Sequence, residues 1–309
     1  MRLEAVGLVF LLGFLFGSDS VVARYMLGQF DPMTFTALRL SIAAAAFLVI
    51  YIFGIGGHRW PKDKQLWRNS IFFGVIGDAV QLILYISALR YLSAGLSSIL
   101  FTFFPVVSVV LAHFLLPNEK LSIRTGIGVA LGSAGAIVIT TLGETGLNVS
   151  EGNTFLGYLL LLLSGLLICF FNIYARKYMA EYNTMDTVCI RIISAAVVST
   201  VFALLFEPNG IHQVNGLGIA LLLYAAVVYF AGFILTFYIL QRFGVTISSL
   251  VNYVSPVSAS VLGLIFLKEV ITPGMLGGMA LILGGVTIIN FIRKKPGKNL
   301  EVLQSAEES

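Results

Sequence analysis

Residues 155–175 read FLGYLLLLLSGLLICFFNIYA, an apolar run without lysine, arginine, aspartate or glutamate. About 20 such residues in an α-helix cross the roughly 30 Å hydrocarbon core of a bilayer. Polar and apolar residues do not alternate along the run, which excludes a strand of a membrane β-barrel. This stretch therefore predicts a transmembrane helix.

Runs of the same kind occur along the whole chain of 309 residues. Hydrophobic residues make up 58% and charged residues 11%, against about 25% charged in a soluble domain. This composition excludes a disordered chain, a disulfide scaffold and a nucleic-acid-binding protein. We predict an all-α membrane protein with ten transmembrane helices, near 4–24, 32–55, 69–89, 95–116, 124–142, 155–175, 186–206, 216–240, 245–267 and 273–292.

Lysine and arginine residues are concentrated in alternate connections between the predicted helices. One side of the membrane holds 14 of them and the other side holds 3. Because these residues accumulate in cytoplasmic loops, the bias predicts that both termini are cytoplasmic. The smaller set is Arg24, Arg90 and Lys268, and the larger is Arg2, Arg59, Lys62, Lys64, Arg68, Lys120, Arg124, Arg176, Lys177, Arg242, Arg293, Lys294, Lys295 and Lys298.

The two halves of the chain resemble each other. An intramembrane arginine, a mid-helix proline and a glutamate just after a helix recur in the same order at shifts of 150 to 152 residues. The matched pairs include Arg24 with Arg176, Arg39 with Arg191, Ser97-Ser98 with Ser248-Ser249, Pro105 with Pro256, and Glu119 with Glu269. We therefore predict a first repeat at 1–142, a connecting loop at 143–154, a second repeat at 155–292 and a cytoplasmic tail at 293–309.

Each repeat has five helices, an odd number, so the second repeat enters the membrane from the opposite side. Inverted repeats are typical of secondary transporters that expose one central site to each side in turn. A non-transporting sensor or scaffold built on the same fold is the alternative interpretation.

The motifs of each half resemble the EamA-type transporters of the drug/metabolite transporter superfamily. They are Pro32 and Arg39 in helix 2, Ser97-Ser98 and Pro105 in helix 4, Glu119 after it, and Gly126, Gly128, Gly132 and Gly135 in helix 5. The resemblance implies two inverted repeats, a central cavity and transport of a small metabolite, such as export of an amino acid or related amine across a prokaryotic inner membrane. A drug or organic-cation exporter is the alternative. The second half departs from the pattern, with Thr184 in place of Pro32 and Glu269 at the outer surface.

Ionisable side chains inside a bilayer are costly and indicate function. Gly74, Asp78, Gln81 and Tyr85 share one face of helix 3, because their spacings are four, three and four. We expect this face to line a cavity, with Asp78 as the first candidate for contact with the substrate. For Gln81 and Tyr85, a hydrogen bond between helices is the alternative.

Asp19 and Arg39 lie in the outer parts of adjacent helices, which allows a salt bridge. Asp19 is either paired in this way or faces the cavity as a substrate contact. Arg191 has Phe171 and Asn172 where Arg39 has Asp19 and Ser20. We therefore expect both arginines to be structural and to bind carbonyls or lipid headgroups, with a substrate carboxylate as the alternative.

Pro105 and Pro256 each remove a backbone donor from a predicted helix. Paired interruptions at matching positions point to a transport site, so we expect both prolines to line or hinge the cavity. The substrate-binding candidates near these prolines are Ser98, Thr102, Asn252 and Tyr253, with Asn172 in helix 6.

Sequence motifs of common enzymes do not occur: GxxxxGK, HExxH and GxSxG are missing. We therefore expect neither an enzyme nor an ATP-driven pump, and neither a cofactor nor a metal site. The two intramembrane aspartates leave an aspartyl-protease dyad as a minor alternative. The expected partners are a small-molecule substrate, the lipid bilayer and coupling protons, without nucleic acid.

The charge bias makes a testable prediction about topology. Reporter domains that are active only in the cytoplasm should be active at both ends of the chain, and reporters that are active only outside should be silent. Activity on opposite sides would contradict the inverted-repeat interpretation.

Overall fold

The computed structural model describes residues 3–57, 59–115, 123–142, 144–147, 153–243, 247 and 250–292. Within these ranges the regular elements are helices, apart from one isolated bridge between Phe30 and Ile211. The helices are α1 Leu3–Met26, α2 Pro32–Ile52, α3 Lys64–Ala88, α4 Ala94–Leu115, α5 Ile123–Thr141, α6 Thr154–Tyr178, α7 Thr184–Phe206, α8 Gly216–Phe243, α9 Val251–Leu267 and α10 Pro273–Ile292, with a short 3₁₀ turn at Ile55–Gly57.

Among the described helices, seven are long and apolar enough to cross a membrane, namely α1–α4 and α6–α8. The apolar parts of α5, α9 and α10 are shorter. These helices confirm an all-helical protein with membrane-spanning segments. The count of ten crossings and the two inverted repeats stay predictions. Glu119, Ser248-Ser249, half of the connecting loop and the tail at 293–309 lie outside the described residues.

Helix α4 is interrupted, whereas α9 is not. The segments Ala94–Phe101 and Phe104–Leu115 form α4, and Pro105 lies in the first turn of the second segment, where its missing N–H is not needed. Helix α9 continues through Pro256, so the expected pair of interruptions is wrong for α9. The carbonyl that Pro256 leaves without its usual donor belongs to Asn252, and the Thr102 hydroxyl approaches that oxygen at 3.5 Å.

Two apolar clusters form the core. The larger joins α1, α2, α3, α7 and α8, and the second joins α4, α5, α6 and α10 with the end of α3. Helix α1 packs against α8 and α9, α2 against α7 and α8, α3 against α6 and α7, α4 against α6 and α9, and α5 against α10. The most extensive of these contacts is that between α5 and α10.

Glycines bring α5 and α10 into direct backbone contact. A Cβ on Gly135 would lie 2.6 Å from the carbonyl oxygen of Gly278, and one on Gly128 would lie 2.8 Å from that of Gly285. Membrane helices associate through small residues because lipid removes the hydrophobic advantage of larger ones. The α5–α10 contact therefore has no room for a side chain.

We expect Gly135→Leu to lower the free energy of unfolding by about 1–3 kcal/mol, the usual cost of overpacking. Gly277→Leu is the matched control, because a Cβ on Gly277 meets nothing within 4 Å. Thermal unfolding of the two purified variants in detergent makes the comparison. Equal midpoints would show that the close contact between these helices contributes little to stability.

Candidate functional site

A cavity of about 430 Å³ lies at the centre of the helices, between α1–α4 and α6–α9. Most of the side chains that the sequence singles out line it: Asp19, Arg39, Asp78, Gln81, Tyr85, Ser98, Thr102, Asn172, Arg191 and Asn252. A second cavity of about 390 Å³ shares Phe101, Ile168, Asn172 and Asn252 with the first and continues between α4 and α6 past Pro105. The polar residues of both halves therefore meet around one space.

Asp78 lies in a π-helical stretch of α3, Phe73–Val80. At its end the backbone N–H of Gln81 donates to the carbonyl of Ile76, five residues earlier. This wider turn is often found at functional sites. Arg191 donates from Nε to Asp78 Oδ2 at 2.9 Å and from Nη2 to Oδ1 at 2.7 Å, a two-bond ion pair. The guanidinium also lies over the ring of Phe73, 3.5 Å from its centroid.

Gly74, one turn before Asp78, allows this pairing. A side chain at Gly74 would collide with the backbone of Arg191 and with Ser194, so the glycine brings α7 against α3. The expectation that Arg191 binds carbonyls or headgroups in place of a carboxylate is therefore wrong. Its acid lies on a helix of the other half, which a comparison of equivalent positions within each repeat does not reveal.

The second ion pair joins Asp19 and Arg39, as the sequence allows. Arg39 Nη2 donates to Asp19 Oδ2 at 3.1 Å, and Arg39 is 1% exposed. Its guanidinium packs on the rings of Phe35 and Tyr229, at 5.7 and 4.9 Å from their centroids. Within the described part of the chain, Asp19 Oδ1 and Arg39 Nε lack a hydrogen-bond partner. This pair is therefore less completely satisfied than the pair of Asp78 and Arg191.

Two of the neutral candidates, Gln81 and Tyr85, combine a position on the cavity with a hydrogen bond between helices. Gln81 Nε2 donates to Ser164 Oγ at 2.8 Å, and the hydroxyls of Tyr85 and Ser20 are 2.9 Å apart. Tyr253 differs from them, because its hydroxyl is 3.0 Å from that of Thr287 on α10 and it lines neither cavity described above. Successive helical residues point about 100° apart, so Asn252 faces the cavity and Tyr253 does not.

Several cavity residues escape the sequence analysis because they are apolar or lie in runs without a charge. Tyr229 of α8 is the most informative, since it lines the cavity and its ring lies under the Arg39 guanidinium. It matches Asp78 at a shift of 151 residues, so the repeat contained the signal that identifies it. The other missed residues are Phe16, Ser20, Phe73, Leu82, Phe101, Ile168, Val228, Thr236 and Ser255.

Glu269 is 4% exposed, so its side chain is buried among the helices, and its position on the outer side of the membrane stays a prediction. Its carboxylate accepts from the amides of Ala94 and Gly95 at 2.8 and 3.2 Å and caps the start of α4. Arg24 Nε lies 3.2 Å from the same carboxylate, and Arg24 also donates to the carbonyl of Leu92 at 3.0 Å. Burial raises the pKa of the Glu269 carboxyl, and the two amides and Arg24 oppose that shift.

Comparison with known proteins identifies the class of this fold and cavity. The sequence model of the EamA-like transporter family matches residues 3–141 and again 155–291, so the chain belongs to this family of membrane transporters. The double match covers both halves of the chain. It confirms the resemblance to the drug/metabolite transporter superfamily.

Individual relatives are distant but extend over most of the chain. An "Uncharacterized transporter" of Archaeoglobus fulgidus is 22% identical over 88% of this chain and 92% of its own, and "Uncharacterized transporter YoaV" of Bacillus subtilis is 23% identical over 90% and 93%. A "Probable terminal-alkyne amino-acid exporter" of Streptantibioticus cattleyicolor is 26% identical over 85% and 84%. A solved crystal structure shares the fold, with a TM-score of 0.65, 21% identity and coverage of 94% of this chain and 98% of its own.

The geometry of the two ion pairs predicts different stability effects. We expect Asp78→Asn to lower the free energy of unfolding by about 3–5 kcal/mol, because it leaves a buried guanidinium without its two-bond carboxylate. Asp19→Asn should cost less, since it removes a single bond from a pair that is already unsatisfied. Thermal unfolding in detergent without substrate tests this order. Equal losses would contradict the distinction between the pairs.

Proposed function

We propose that the chain is a ten-helix secondary transporter that moves a small metabolite by alternating access around the central cavity. The observation that carries the proposal is the central cavity, whose wall contains two ion pairs between helices. The chain also belongs to a family of membrane transporters. A scaffold protein has no use for a charged cavity at this depth, because buried ionisable groups cost stability. The charged cavity therefore favours transport over a sensor or scaffold role.

The packing of the helices supports the inverted repeats at 1–142 and 155–292. If each helix is exchanged for its counterpart five helices later, the contact of α1 with α8 becomes that of α6 with α3. The same exchange turns the contact of α1 with α9 into that of α6 with α4, and the contact of α2 with α8 into that of α7 with α3. All of these contacts occur in the structure. The contacts α2–α7, α4–α9 and α5–α10 map onto themselves. Two structurally related halves are the arrangement that alternating access uses.

An amino acid or a related amine is the substrate class that the cavity charges favour. The wall carries two carboxylates and two guanidiniums, so its formal charge is zero. A zwitterion brings an ammonium for a carboxylate and a carboxylate for a guanidinium, and charge-assisted hydrogen bonds of this kind are strong. A drug-like organic cation lacks a partner for the guanidiniums. The name of the Streptantibioticus relative agrees with amino-acid export, which we also propose here.

Within the cavity we assign substrate contact first to Asp19 and a structural role to Asp78. Both oxygens of Asp78 are occupied by Arg191, whereas Asp19 Oδ1 is without a partner among the described residues. That oxygen is buried in the described state, so an ammonium group satisfies it, with the bond to Arg39 kept, when Asp19 turns toward the cavity that it lines. Gln81, Tyr85, Ser98, Thr102, Asn172 and Asn252 complete the proposed wall, and Asp19 is the carboxylate best placed to exchange a coupling proton.

The purified protein is screened for thermal stabilisation by amino acids, amines, nucleosides and sugars. We expect amino acids to raise its unfolding temperature, because a ligand that binds the folded state stabilises it. Reconstituted into liposomes, it should transport the same compounds. Asp19→Asn should weaken binding roughly 10- to 100-fold, the value of a charge-assisted hydrogen bond of 1.5–3 kcal/mol.

Asp31→Asn is the matched control, since Asp31 lies outside the cavity in an ion pair with Arg90. Unchanged affinity in Asp19→Asn would contradict the assignment of Asp19. Tighter binding of organic cations than of zwitterions would favour the drug-exporter alternative, and no transport of any class would favour the scaffold.

A further inference from the structure

Two glycines of α1 allow its backbone to come into direct contact with α9. A Cβ on Gly17 would lie 2.6 Å from the carbonyl oxygen of Ser255 and 2.8 Å from the amide nitrogen of Ala259. Gly13, one turn earlier, meets Val254 just as closely. The two backbones therefore touch along about one turn of each helix, and Ala259 is fully buried. Nothing the size of a metabolite passes between them.

The counterpart of this contact in the other half joins α6 and α4. At the shift of 152 residues, Gly165 matches Gly13 and Cys169 matches Gly17. Here the ring of Phe104 lies over Gly165, and the Cys169 thiol donates to the Phe104 carbonyl at 3.2 Å. Side chains thus separate the two backbones, and the 390 Å³ cavity lies between them. Two contacts that match in sequence are closed by direct backbone contact in one half and by a buried aromatic ring beside a cavity in the other.

An ion pair connects α1 and α9 at one end of their contact. Arg24 ends α1 and Glu269 follows α9, so their 3.2 Å contact joins the same two helices that the glycines bring together. Glu269 also binds the first amides of α4, and Arg24 binds the carbonyl of Leu92 in the turn before α4. Gly263 leaves space for the glutamate side chain. One ion pair therefore ties α1, α9 and the α3–α4 turn.

We propose that Arg24, Glu269 and the Gly13–Gly17 face of α1 form a gate, which closes the cavity at the end that the charge bias assigns to the outside. In the state described, the substrate passes between α4 and α6 instead. This inference rests on the proposed alternating access. Opening the gate requires α1 to separate from α9 and Arg24 to release Glu269.

Accessibility of a cysteine in the cavity tests the gate without any substrate. Thr236 lines the first cavity and takes no part in an ion pair, so Thr236→Cys is a suitable probe. The native Cys169 and Cys189 are buried, and protein without the probe gives the background of labelling. A membrane-impermeant maleimide is applied to vesicles of each orientation. We expect labelling from the side opposite the Arg24 end.

Adding Glu269→Gln should increase labelling from the Arg24 side several-fold, because the side-chain amide keeps one acceptor oxygen for the start of α4 but loses the second acceptor and the charge for Arg24. Gly17→Leu should do the same by holding α1 away from α9. The matched control is Gly7→Leu on the same helix, where a Cβ meets nothing within 4 Å. It should label like the protein that carries the probe alone.

Equal labelling from both sides before any gate substitution, or no increase in Glu269→Gln and Gly17→Leu, would overturn the gate. Should Gly17→Leu not fold, Glu269→Gln decides the question alone. Failure of transport in liposomes is a separate result, because labelling reports access and not substrate turnover. The two proposals therefore fail in distinguishable ways.

Discussion

Two guanidinium groups in the interior of a membrane protein are the constraint on which the site depends. Arg39 is almost fully buried and Arg191 nearly so, and arginine stays charged at any physiological pH. An unpaired charge at this depth costs several kcal/mol, so each requires a carboxylate. Asp19 and Asp78 meet this need, and the close approach of α3 to α7 follows from it. The polar cavity lies where the two pairs come together.

The pairing breaks the symmetry that the sequence repeat suggests. Arg39 and Arg191 match, but Asp19 lies on the first helix of its own half, whereas Asp78 reaches Arg191 from the third helix of the other half. Tyr229 occupies the position that matches Asp78 and packs on Arg39 as an aromatic surface in place of an acid. Both acids thus belong to the first half. A substrate in the cavity meets two walls of different chemistry, which is a basis for orienting a zwitterion.

Much of the fold and half of the residues that line the first cavity follow from the sequence, because apolar length and intramembrane polarity carry strong physical penalties. What the sequence does not specify is local geometry. The π-helical turn at Asp78 shifts the register of its face, and the burial of Glu269 depends on a helix start that is distant in sequence. Helix α9 continues through Pro256, and the Thr102 hydroxyl of α4 lies 3.5 Å from the freed carbonyl and also donates to the carbonyl of Ser98. The surroundings of Glu269 and Pro256 depend on contacts between elements, and the π-helical turn is a change of hydrogen bonding within α3. Periodicity along one helix predicts neither.

The difference between Gly17 and Cys169 explains how one protein can use two related halves unequally. A transporter needs its two access states to be close in free energy, since a gap of a few kcal/mol leaves the minor state rarely populated. Identical contacts in both halves would give no preference, whereas a glycine contact reinforced by a buried ion pair stabilises one closed end. The thiol and the Phe104 ring prevent equally close packing of α4 on α6. Under the proposed alternating access, the side chains at these two matched positions set which end is closed at rest.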